Sequence, residues 1–105
     1  MAEYNPDTWV VIEVQHASET LYKVLAGWSG GYLHGDSWRI NSGVTAVKEF
    51  DDYYEFYGSS GSCYRCAKGM NRLSMATAGV WNQLQEKYPT EVRMMPEDTN
   101  WMELV

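Results

Sequence analysis

Between residues 28 and 67 the chain packs tryptophan, tyrosine and glycine into short alternating segments. Runs of aromatic and β-branched residues cut by Gly, Ser, Asn and Asp are the writing of a small twisted antiparallel sheet. Residues 8–16 alternate, with Val10, Ile12 and Val14 on one face and Glu13 and Gln15 on the other. Residues 21–28 are apolar apart from Lys23, which predicts a strand covered on both faces. A third strand starts at residues 38–40, is interrupted by a turn or bulge at Asn41-Ser42-Gly43 and runs on through 44–50. Residues 53–57 and 63–67 complete the expected set, with turns at Asp51-Asp52 and Gly58-Ser59-Ser60-Gly61-Ser62.

After Gly69 the period lengthens. Leu73, Ala76, Val80, Leu84 and Tyr88 recur at three and four residues, with Thr77 and Trp81 flanking, so residues 72–88 read as a helix. Asn71 or Ser74 caps its start and Pro89 ends it. Gly79 within it costs about 1 kcal/mol relative to Ala unless a strand packs closely there. Residues 90–105 form an acidic tail carrying Met and Trp, in which Pro96-Glu97-Asp98 resembles the first turn of a short helix. There is no internal repeat and no linker. The fold class expected is α+β in a single domain over 1–105. Residues 8–67 form an antiparallel five-stranded meander or small open barrel, packed with one C-terminal helix.

The 105 residues carry 14 Asp and Glu against 8 Lys and Arg, a net charge of −6. That balance argues against direct binding of duplex nucleic acid, which requires a cationic surface to release counterions. No apolar run approaches the roughly 20 residues of a membrane span, and the N-terminus lacks signal-peptide form, so a cytoplasmic location is expected. Charge is uneven along the chain. Glu49, Asp51, Asp52 and Glu55 make an acidic block, while Arg65, Lys68 and Arg72 follow as a basic strip.

Three constellations bear on function. The first is the acidic block with Tyr53 and Tyr57, a surface suited to protein docking if Tyr54 and Phe56 turn inward. The second is the loop around Trp28, Tyr32, His34, Trp38 and Arg39, where flat apolar walls and one cation would suit a nucleotide-like anion. His34-Gly35-Asp36-Ser37 does not make a catalytic triad, because triad groups converge from separate elements. The third is Cys63-Tyr64-Arg65-Cys66. A single CxxC is short of the four ligands of structural zinc, and on a strand its sulfurs point to opposite faces. Cys63 and Cys66 are therefore weak metal candidates, and no cofactor is expected. Gly58-Ser59-Ser60-Gly61-Ser62 lacks the ending of a phosphate loop and reads as a turn.

The runs Gly35-Asp36-Ser37-Trp38-Arg39-Ile40-Asn41-Ser42-Gly43-Val44 and Ser60-Gly61-Ser62-Cys63-Tyr64-Arg65-Cys66 resemble those of small accessory proteins encoded by tailed bacteriophages. The resemblance spans roughly residues 22–85 and carries over no catalytic residue. It implies a non-enzymatic protein of the host-cell cytoplasm that docks on and modulates a host protein. Acidic mimicry of nucleic acid is one form such docking takes. An exposed edge strand offers a route to a homodimer.

Overall fold

The computed structural model describes residues 2–29 and 37–105. Among them eight strands and one α-helix run in the order β1 (Glu3–Tyr4), β2 (Thr8–His16), β3 (Glu19–Trp28), β4 (Ser37–Ile40), β5 (Val44–Glu49), β6 (Tyr53–Gly58), β7 (Cys63–Ala67), α1 (Met75–Lys87) and β8 (Val92–Met94), with a 3-10 turn at Trp101–Glu103. The class is α+β. The strands nevertheless divide between two open four-stranded sheets, β4-β3-β2-β8 and β1-β7-β6-β5, in place of one meander or a barrel.

The break falls at Asn41-Ser42-Gly43. Asn41 is buried, and its Oδ1 accepts from the Val24 amide at 2.9 Å. Gly43 turns the chain at φ 142°, and its carbonyl accepts from the Ser59 amide at 3.0 Å. β4 therefore stays on β3 while β5 leaves to pair with β6. A three-residue corner of this kind reads like an ordinary hairpin turn in sequence.

The β4-β3-β2-β8 sheet is the central layer. Its Val10, Ile12 and Leu25 pack with Trp81 under α1, and its Trp9, Val11, Val24 and Ala26 pack with Phe56, Tyr64, Cys66 and Trp101 of the outer sheet and tail. β3 is thus covered on both faces, as its apolar run implies. β2 is too: Trp9 and Val11 are as deeply buried as Val10 and Ile12, so only its far end alternates. Every edge strand is short or irregular. β1, β4 and β8 have two, four and three residues, and β5 shifts register between Val44 and Ala46. Such edges resist pairing with a second copy.

Ser74 caps α1. Its hydroxyl accepts from the Thr77 amide, while the Thr77 hydroxyl accepts from the Ser74 amide at 2.7 Å. The helix is set unusually close to β3 at this end. A methyl group on Gly27 would stand 2.8 Å from Ser74 Oγ and 2.9 Å from Thr77 Cγ2. The contact line accordingly runs through Thr77 and Trp81, the flanking positions of the sequence stripe, while Tyr88 is exposed. Pro96-Glu97-Asp98 does not begin a helix. Thr99 closes a turn on Pro96, and the short 3-10 turn starts later, after Asn100.

Candidate functional site

The β5–β6 hairpin presents the acidic block. At its tip Phe50 and Tyr53 close the turn through a 2.9 Å backbone bond and stack face to face, ring centroids 4.8 Å apart and planes at 17°. Phe50 is 39% exposed, and Asp51 and Asp52 project beside it. Among the described residues no ion pair engages either aspartate. Glu49 differs, since Lys68 Nζ holds its carboxylate at 2.7 Å.

Glu55 belongs to a different environment. Period-2 alternation puts Tyr53, Glu55 and Tyr57 on one face of β6, and the register sets Arg65 directly opposite Glu55. Arg65 Nε donates to Glu55 at 2.8 Å and its Nη2 to Glu3 at 3.3 Å, while the Tyr57 hydroxyl donates to the other Glu55 oxygen. Glu55 is only 7% exposed. Tyr57 first, and Arg65 next, hold its carboxyl below the ordinary range, and Glu55 with burial pushes the Tyr57 phenol well up. Tyr53 and Tyr57 are half-buried, with Arg65 and Lys48 over their respective rings. Phe56 faces inward as expected, and Tyr54 packs at the margin of the same core. The block is therefore split: among the described residues Asp51 and Asp52 are in no ion pair, whereas Glu49 and Glu55 are occupied within the chain. The basic strip is correspondingly neutralised at Arg65 and Lys68.

Of the described residues of the second constellation, the structure sets Trp38 apart from Trp28 and Arg39, which both meet Tyr4. Trp28 pairs with Ser37 and Gly27 with Trp38, so the two tryptophans rise from opposite faces of the central sheet and cannot wall one pocket. Trp28 packs on Tyr4 and donates its indole N–H to the Asn5 carbonyl at 3.0 Å. Arg39 lies over the Tyr4 ring at 4.5 Å, and Trp38 stands 50% exposed on the helix side. Tyr32 and His34 lie outside the described residues.

Cys63 and Cys66 are both buried, reduced and on opposite faces of β7. Burial pushes the Cys66 thiol far up; burial, then the nearby Glu55, raises Cys63. Neither is poised as a thiolate. Among the described residues no three His, Cys, Asp or Glu side chains cluster as a metal site would require. Gly58 and Ser62 close a tight turn by a 2.9 Å backbone bond, with Gly61 at φ 90°.

Two cavities were not foreseen. One of about 310 Å³ lies beside Lys68, between Tyr54, Asn71 and the acidic turn at Glu97 and Asp98. The other, about 680 Å³, opens between the C-terminal half of α1 and the β2–β3 hairpin, over Ile12, Val14, Leu21, Lys23, Ile40, Leu84 and Val92. The signal for the second was present: Lys23 interrupts an otherwise apolar strand. No protein-family model, curated protein or solved structure matches this chain.

Proposed function

We propose that this chain is a non-enzymatic binding module. In this reading it is an accessory protein of the tailed-phage kind, acting in the host cytoplasm by docking the β5–β6 hairpin tip on a host protein. One observation carries the reading: the exposed Phe50 ring, stacked on Tyr53 and flanked by Asp51 and Asp52, which no ion pair engages among the described residues. A preordered aromatic ring loses little side-chain entropy on burial, and aromatic anchors supply much of the energy of protein interfaces. The two aspartates then select a partner with a basic rim and speed its encounter. Nucleic-acid mimicry would call for a row of free carboxylates, and the pairing of Glu49 and Glu55 supports an aromatic anchor over mimicry.

The test is affinity capture from host lysate with three forms of the full chain: wild type, Phe50→Ser and Asp51→Asn/Asp52→Asn. A species whose affinity falls roughly 30-fold with Phe50→Ser, the effect of losing a hot spot, is the expected result. The aspartate variant should slow association and flatten its salt dependence. Equal capture by all three forms would sink the hairpin-tip reading, as would no capture at all while thermal melts show the variants folded.

A further inference from the structure

The 680 Å³ groove has a built asymmetry. Gly27 and Thr77 let α1 touch the central sheet at its first turns, whereas Leu84 and Tyr88 stand over open space at its last. The middle of that floor is made by Ile12, Val14, Leu21 and Ile40 with Lys23 among them, while Gln15, His16 and Glu91 bring polar groups to the hairpin end. Register places Lys23 opposite Ile12, and alternation places it between Leu21 and Leu25 on the same helix-facing side. Lys23 is half-buried there, and among the described residues no carboxylate lies within ion-pair distance of it. A lysine in such a place lays its stem along apolar neighbours and carries its ammonium to the water-facing side of the groove.

We propose that this groove binds a single-chain carboxylate of the medium-chain fatty-acid class. Its hydrocarbon lies along Ile12, Val14, Leu21 and Leu84, and its carboxylate meets the Lys23 ammonium. The volume falls within the range of small-molecule sites, and the lining has their usual composition of apolar walls with few polar groups. Charge selects the headgroup. One ammonium matches a monoanion, whereas a phosphate dianion would need further donors. Of the other charged groups, Glu91 lines the rim as an anion and Lys87 stands 5.5 Å over the Tyr88 ring on the helix side, which leaves Lys23 as the cation among the lining residues. The groove and the β5–β6 tip belong to different layers of the molecule, so this site stands or falls independently of the docking reading.

Titration of the isotopically labelled full chain with decanoate, kept below its micellar concentration and followed by amide NMR, tests the proposal. Saturable shifts at Ile12, Val14, Leu21 and Leu84 are expected, with octanoate roughly fifteenfold weaker, since each of the two missing methylenes adds roughly fourfold. Lys23→Met should weaken decanoate roughly tenfold while leaving 1-decanol unaffected, and Lys23→Arg should retain decanoate binding. The proposal is overturned by shifts lying outside the groove, or by no shifts at all. It is equally overturned if Lys23→Met leaves decanoate binding intact or weakens decanoate and decanol alike.

Discussion

Glu55 shows how one side chain acquires its role from partners that a linear reading does not join. Period 2 makes legible that Tyr53, Glu55 and Tyr57 share a face, and that Phe56 turns inward. It does not make legible that Arg65 stands across from Glu55, because that depends on the register of β6 with β7. The carboxylate is held in its charged form by Tyr57 and Arg65, so its folded pKa lies below the ordinary 4.5. A depressed carboxyl pKa contributes stability that is complete above the unfolded value and is lost as pH falls through the folded one. The raised Tyr57 phenol works in the opposite sense: its contribution is present below its ordinary pKa of 10.0 and is lost as pH rises beyond that. We expect Glu55→Gln to lower stability at pH 7 by about 1–3 kcal/mol, the usual consequence of breaking a charged hydrogen-bonded group. The variant should also flatten the acid limb of the stability curve below pH 4.5. Urea unfolding between pH 3 and pH 8 reads both effects.

Most strands and the helix were legible as elements, because residues 8–16, 21–28, 44–50, 53–57 and 63–67 and the helix each run long enough to show a period. β1 and β8 were not; two or three residues carry no period, and they exist because β7 and β2 offer an open edge. The helix was legible in place but rotated in detail. Its stripe was read from the size of apolar side chains, whereas its docking is decided by the small ones, Gly27 and Thr77. Two substitutions separate these effects. Gly27→Ala should destabilise by about 1–3 kcal/mol, because the new methyl group would stand 2.8 Å from Ser74 Oγ and 2.9 Å from Thr77 Cγ2 and force the helix cap to shift. Gly79→Ala should stabilise by up to about 1 kcal/mol, since an added methyl group there meets nothing within 4 Å and glycine weakens a helix. Thermal melts of the two variants should move in opposite directions.

At the scale of the whole molecule, sequence alone could not divide the strands between sheets, because hairpin-like segments look alike whichever neighbour they pair with. The division leaves two local units, β2-β3-β4 and β5-β6-β7, each built from consecutive antiparallel strands. What joins them is a layer of rings in which Trp101 is 3% exposed and packs edge-on against both Trp9, at 5.4 Å between centroids, and Phe56, at 5.9 Å. Trp101→Ala should cost about 3–5 kcal/mol, measured by denaturant unfolding. That ring also has a consequence in time. The contacts of Trp101 with Trp9 and Phe56 each close a long loop, whereas the local units join consecutive strands, so the seam is expected to close after the units form. The substitution should therefore leave the refolding rate nearly unchanged and appear almost wholly as faster unfolding, which is the kinetic signature of a lock rather than a nucleus.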